Sequence, residues 1–459
     1  MVLHGILGQE VPMITSWLMS GLMVVGQAVQ PVGSPARLAP LTIPEVPPPG
    51  TIYPVSQVVP PNTTSPFKEK MEAEEMAEEK GDKLFLMKAL EGTAFQTRGL
   101  SARGYTEANY NISNQTGQTV RKNNLPQAMN YMGNQFMMEQ SSITVEKLLD
   151  YEKKEFQWGF NLTALAGTDY RFTTSNNLAA GQNTANGGFP NTYGIDPMTQ
   201  GYLNAWLPGL GEGGTEVKLG KFWTTIFNES IDPTLNRTVS RAVTFMSNPF
   251  TNTGVLATTK LNDRWTMNNG AVMGADVFFG TAARFNYLGG LKYETEGAKD
   301  SIAFNTMIGP SAYNQNLAVL TSYDVFEILY SHNFNDDWNY TLDVMYSFAN
   351  NFQGTVTNRD GSTYVLNDEW ANWYGFVNYL TYNINDKFST TTRVEFFDDC
   401  KGVRTGYAGL YSTFTQALTY KIKEGFWFRT ELRYDYAQAR AYQGQHGLFT
   451  LPLDFIIRY

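Results

Sequence analysis

The feature that most constrains this chain is a strict two-residue alternation near its end. From residue 426 onward, Phe426, Phe428, Leu432, Tyr434 and Tyr436 fall on one side of an extended backbone, and Arg429, Glu431, Arg433 and Asp435 fall on the other. Successive side chains of a β-strand point to opposite faces, so the stretch reads as a strand. Four charges in sequence on one face, opposite large apolar groups on the other, require that the apolar face meet something oily. The last segment repeats the pattern, with Leu451, Leu453, Phe455, Ile457 and Tyr459 against Asp454 and Arg458. Apolar-out, polar-in alternation over roughly ten residues is the pattern of a transmembrane β-strand.

Composition agrees with that pattern and excludes several others. The mean hydropathy of −0.31 is compatible with a barrel, because only every second strand residue faces lipid. An aromatic content of 14%, with 26 Tyr, 29 Phe and 41 Gly, favours strands and turns. The single cysteine, Cys400, excludes an internal disulfide framework and a cysteine-rich metal site, and reads as an incidental free thiol. A net charge of −9 with no basic block argues against a nucleic-acid partner.

Ahead of the alternating region the chain changes character twice. Residues 13–28 form an apolar run too short to span a membrane as a helix, with Gly26 and Ala28 as small residues for cleavage. Residues 1–29 are therefore expected to be a secretory signal peptide, although Glu10, and no Lys or Arg, precedes the run. Residues 30–66 are proline-rich and predict an extended, semi-rigid linker. Residues 67–98 are charged and predict a helical periplasmic segment, read as a tether or, more sharply, as a docking site for the cell wall.

Residues 99–459 predict an all-β fold, a closed antiparallel transmembrane β-barrel of about 16 strands. Short turns fall at Asn262-Asp263, Asn335-Asp336, Asn385-Asp386 and Lys423-Glu424, where Asn and Asp are expected for their tolerance of positive φ. Longer polar segments cover residues 113–135, 171–199, 223–250, 351–370, 399–410 and 437–446. Short periplasmic turns against long extracellular loops are the asymmetry of an outer-membrane barrel, and an even strand number puts both ends of the barrel domain on the periplasmic side. Aromatic residues just after four of the turns, Trp265, Trp338, Phe388 and Phe426, predict an interfacial girdle.

The polar faces predict a hydrated lumen. Asp343, Arg393 and Glu395 alternate with apolar residues in strands 338–350 and 387–398. With Arg429, Glu431, Arg433 and Asp435 they are expected to line the pore, where water removes most of the cost of enclosing a charge. Segments 318–334 and 371–384 carry apolar residues on both faces, which predicts bulges, a different register, or contact with a plug or a neighbouring subunit.

No catalytic or metal-binding constellation emerges. His4, His332 and His446 lie far apart, and Ser331 beside His332 would point to the opposite face of a strand. Gly209, Gly211, Gly213 and Gly214 precede no Lys-Ser or Lys-Thr helix start and read as a turn. The chain is accordingly expected to be no enzyme, with no cofactor and no metal.

Several stretches resemble the OmpL-like family of bacterial outer-membrane β-barrel porins. They are Ser142-Ile143-Thr144-Val145-Glu146-Lys147, Trp158-Gly159-Phe160 leading to Gly167-Thr168-Asp169-Tyr170-Arg171-Phe172, Leu219-Gly220-Lys221-Phe222, and Thr253-Gly254-Val255-Leu256-Ala257-Thr258 before the Asn262-Asp263 turn. The terminal Tyr459 likewise looks like the C-terminal sorting signal of such barrels. The resemblance implies a bacterial outer-membrane location and porin activity, and carries over no catalytic residues.

The expected function is thus passive diffusion of small hydrophilic solutes, with outer-membrane lipid around the barrel. The alternative is a closed or plugged barrel serving as a structural anchor. In general porins the third extracellular loop narrows the pore. Here that loop is 223–250, with Glu229, Asp232, Arg237 and Arg241, and Glu229 and Asp232 are expected to face Arg393, Arg429 and Arg433 across a constriction. A homotrimer is a candidate assembly, and the N-terminal extension is the candidate for contact with the cell wall.

Overall fold

A computed structural model describes residues 84–115, 124, 126–127, 129–178, 192–280, 284–310, 312–314, 319–423 and 425–459. The expected signal peptide, the proline-rich linker and the charged segment as far as Lys83 lie outside the described residues, as does Glu424 of one expected turn. A short helix α1 (Phe85–Leu90) and a 3-10 turn (Gln96–Arg98) lead into the sheet.

Alternation is realised as strands in chain order. The first nine are β1 (Leu100–Ser113), β2 (Phe136–Lys147), β3 (Gln157–Gly167), β4 (Gly194–Leu207), β5 (Thr215–Trp223), β6 (Thr251–Lys260), β7 (Trp265–Val272), β8 (Asn286–Glu294) and β9 (Asp300–Ile308). After them come β10 (Ala312–Asn314), β11 (Val319–Thr321), β12 (Asp324–Asn333), β13 (Trp338–Thr357), β14 (Thr363–Asn383), β15 (Phe388–Asp399), β16 (Gly409–Lys423), β17 (Phe426–Ala437) and β18 (Gly447–Arg458). β1–β9 and β12–β18 make a closed antiparallel barrel of 16 strands in which each pairs with its neighbour in sequence. β10 and β11 form a separate hairpin in the loop after β9.

Closure is made by β1 and β18. Their register runs from Tyr105 opposite Arg458 to Ser113 opposite Thr450, and the ladder extends to the last residue. Gly104 N donates to Tyr459 O at 2.7 Å, and Tyr459 N donates to Gly104 O at 2.9 Å. A Cβ on Gly104 would collide with the Tyr459 ring and with Ser142 O, so glycine is required for this close approach.

The outer surface carries the expected apolar band: Leu432, Tyr434 and Tyr436 are exposed, while Arg433 and Asp435 between them are buried. At the short-turn end, aromatic residues pair across strands. Trp338 stacks on Tyr382 at 4.4 Å, Phe388 on Tyr420 at 4.3 Å, and Trp265 meets Tyr293 at 4.9 Å. These directly opposed pairs form the periplasmic girdle and add about 0.5–1.5 kcal/mol each beyond their burial.

The turns differ from expectation in mechanism. Asn262, Asn335 and Asn385 are absent from the residues with positive φ. Each instead closes its turn through the side chain: Asn335 Oδ1 accepts from Asp337 N and Trp338 N, and Asn262 and Asn385 repeat the arrangement two and three residues ahead. The short amide side chain stands in for a backbone carbonyl.

Three strand limits also differ. Segment 318–334 is not one strand, because β12 begins only at Asp324 and Tyr323 turns inward to donate to Ser247 O. The loop expected at 351–370 is largely strand, since β13 and β14 run for 20 and 21 residues, past register shifts between Ala349 and Gly354. β4 starts at Gly194, inside the segment 171–199 expected as a loop, beyond a register shift opposite Thr163 and Leu165.

Candidate functional site: the loop-filled lumen

The inward faces of β13, β15 and β17 supply the charged wall. Strand parity places Asp343, Arg393, Glu395, Arg429, Glu431, Arg433 and Asp435 on the lumen side, between outward neighbours that are apolar or aromatic except Thr392 and Thr430. All are nearly fully buried, from 0% exposed for Arg393 and Asp435 to 2% for Glu431. A watery lumen is therefore not what accommodates these charges. The third loop, residues 224–250 between β5 and β6, folds into the barrel and lies against them.

The loop is braced before it meets the wall. Asp232 caps the 3-10 turn Pro233–Leu235 by accepting from Thr234 N at 2.8 Å. Asn236 accepts from Ser230 N and donates to the carbonyls of Ser230 and Asp232. Arg241 donates to the carbonyls of Ser230, Ile231 and Val239. Phe227, 0% exposed, holds φ at +88°. This strain is on the order of 1–3 kcal/mol for a bulky residue and is maintained by surrounding packing, including Phe245 at 5.7 Å.

Wall and loop then join by charge-assisted hydrogen bonds. Arg393 donates to Glu229 Oε1 at 2.6 Å, to Ser240 O at 2.7 Å and to Ser240 Oγ at 2.9 Å. Arg429 spans the barrel seam, reaching Asp454 at 2.7 Å and Glu107 at 2.9 Å, and donates to Pro233 O at 2.8 Å. Arg433 pairs with Asp435 at 2.6 Å and donates to Ser240 Oγ and Arg241 O. The carboxylates take the loop's amides. Glu431 accepts from Val239 N and Ser240 N, Glu395 from Val243 N and Thr244 N, and Asp343 from Asn228 N.

Expected and observed geometry thus differ at the constriction as well as in the hydration of the wall. Glu229 meets Arg393 in direct contact and not across an open gap, and Asp232 is occupied with its own turn. Arg241 braces the loop from inside, and Arg237 is half-buried. Opposite charges that share a buried site lose water and recover the cost only by touching, which explains the collapse of the gap.

Apolar contacts extend the same filling through the extracellular half. Tyr202, Phe222, Val272, Leu288, Met345 and Trp373 belong to one buried cluster with Ile226 and Val243 of the third loop and Tyr442 of the last. A second cluster joins Tyr170 and Phe172, from the short helix α2 (Tyr170–Thr173), to Phe227, Phe245, Phe250 and Tyr379. These residues were missed as site residues, and the doubly apolar segment 371–384 was the signal for Trp373 and Tyr379 alone. Trp373 donates to Ser247 O and Tyr379 OH to Glu229.

At Gly375 a Cβ would collide with Thr244, so the wall yields there to admit the loop. Gly375→Leu is expected to push the third loop off β14 and enlarge single-channel conductance several-fold, read in planar bilayers; equal conductance would show that the loop does not limit the pore. The loop's far end is anchored by Asp276, which accepts from Phe250 N at 3.0 Å and Thr251 N at 2.6 Å. Burial pushes this carboxyl up to about 7 against the pull of those donors.

Elsewhere, Ser331 bonds within the wall to Thr341, whereas His332 pairs on the outer side with Asp300 at 2.6 Å. His446 contacts Ala437 O and Cys400 is half-buried.

The chain is similar to several solved structures. The outer membrane channel DcaP of Acinetobacter baumannii matches with 10% identity and a TM-score of 0.49, over 78% of this chain and 97% of that one. An anion-selective porin from Comamonas acidovorans matches with 10% identity and a TM-score of 0.50, over 78% and 99%. A triple mutant of Rhodopseudomonas blastica porin matches with 11% identity and a TM-score of 0.46, over 78% and 100%. The likeness to the Comamonas protein is one of fold. No curated protein matches the chain. The model of the family described as "Putative beta-barrel porin-2, OmpL-like" matches residues 99–457, and with its closed 16-strand barrel the chain belongs to that family of bacterial outer-membrane porins.

Proposed function

We propose that the third loop sets the permeability of this porin, acting as a charge-clamped plug in the extracellular half of the barrel. The protein is an outer-membrane porin for passive diffusion of small hydrophilic solutes. The observation that carries the finer reading is the clamp itself: Arg393, Arg429 and Arg433 hold carbonyls of residues 233–241, while Glu395 and Glu431 hold amides of residues 239–244. Solute passage then depends on how far this segment leaves the wall.

The same filling favours a second reading, a plugged barrel whose part is structural. Recordings of the full chain in planar bilayers separate the two. The porin reading expects ohmic steps that are small for a barrel of this strand number, and larger steps when the clamp is cut. Absence of steps in both forms would leave the anchor.

A homotrimer belongs with this proposal. On the outward faces of β3, β4 and β6 the small residues Ala164, Gly201, Ala205 and Ala257 lie among the larger Trp158, Leu162, Leu203 and Val255, and these small residues let a second copy approach closely. Wall contact through the N-terminal extension rests on its composition alone. Family and fold support the reading of the activity as that of a channel.

A further inference from the structure

The charges of the periplasmic half of the lumen are not exposed evenly. Parity puts Arg103, Lys218, Lys260 and Lys292 on the inner face, each within four residues of the periplasmic end of its strand. Lys218 alternates with the outward, exposed Leu219, and Lys292 with the outward Leu291. All four cations reach water: the side chains of Arg103, Lys292 and Lys260 are 44%, 27% and 22% exposed, and Lys218 is half-exposed. The inward carboxylates at this depth, Glu146, Glu216 and Glu294, are only 1%, 7% and 7% exposed.

Their pairing explains the asymmetry. Glu146 is held by Arg103 at 2.8 Å and Asn161 at 2.9 Å, Glu216 by Asn204 at 2.7 Å, and Glu294 by Lys292 at 3.0 Å. Glu146 and Glu294 lie in the wall while the positive ends of their pairs face the passage, and Glu216 is held in the wall by the neutral Asn204. Further up, Arg393, Arg429 and Arg433 are neutralised within the clamp and withdrawn from solvent. Lys260 shares its charge with the fully exposed turn carboxylate Asp263 at 3.8 Å, so it contributes least of the four.

We propose that the periplasmic half of the lumen is an anion filter, in which Lys218 and Lys292, with Arg103 and Lys260, favour small anions and anionic solutes over cations. The inference rests on the porin reading above and adds the charge of the preferred solute. Whatever opening the extracellular loops allow, a permeating ion crosses this stretch, and a low-dielectric wall with one sign of charge facing water concentrates the opposite sign.

Reversal potential across a tenfold KCl gradient tests it, with the full chain in a planar bilayer, since the two ions have nearly equal mobility. The unmodified protein should prefer chloride. Lys218→Glu with Lys292→Glu should shift the permeability ratio toward potassium by roughly fivefold, with Lys218→Gln in between. Heat-modifiable migration verifies that each variant is folded, and the glutamine variant alone decides if the double one is not. Potassium preference in the unmodified protein, or a ratio unmoved in the folded variants, would overturn the filter while leaving the porin intact. Absence of any conductance would bring down the porin reading and the filter together.

Discussion

Arg429→Ala is expected to cost the folded barrel about 3–5 kcal/mol, the usual effect of removing one partner of a buried pair, and to raise single-channel conductance. Arg429 is 1% exposed and serves three elements at once: Asp454 on β18, Glu107 on β1 and the Pro233 carbonyl of the third loop. Its loss strands two carboxylates beside each other and releases the loop at its 3-10 turn. Arg433→Ala should cost less in closure, because its acidic partner Asp435 lies two residues away on the same strand. It should still loosen the loop, because Arg241 O loses this donor and Ser240 Oγ keeps only the one from Arg393. Denaturant unfolding in detergent measures the first effect and bilayer recording the second. If conductance and ion selectivity were unchanged in both variants, the clamp would have no part in permeation.

Gly104→Val should abolish the compact, heat-modifiable form on unboiled gels, or lower its melting temperature by many degrees. A Cβ at residue 104 would occupy the space of the Tyr459 ring and of Ser142 O, and a β-branched side chain extends the clash. The reciprocal pair between Gly104 and Tyr459 at the periplasmic end of the seam would then break. A barrel has no tolerance for a frayed edge in lipid, where each unpaired backbone group costs several kcal/mol. A variant that migrates and melts like the unmodified protein would show that this end of the seam is dispensable.

Much of this architecture was legible in order of residues alone. The alternation through β13, β15, β17 and β18 assigns each side chain to lipid or lumen, and the Asn-Asp turns followed by Trp or Phe locate the short-turn end. Both signals are local, spanning two to four residues, so they survive without knowledge of what lies opposite. Strand limits near bulges, such as 194–202 and 349–354, were not legible, because a bulge depends on the partner strand.

The sequence by itself determined a closed sheet between hydrocarbon and a polar interior, since an apolar face of period two over some 360 residues has no other stable partner. Only the tertiary structure decided what occupies that interior. Whether Arg429 meets water or Pro233 O, and whether Trp373 marks a bulge or a loop contact, depends on residues roughly 130–200 positions away. Periodicity records which way a side chain points, and burial records what it finds there.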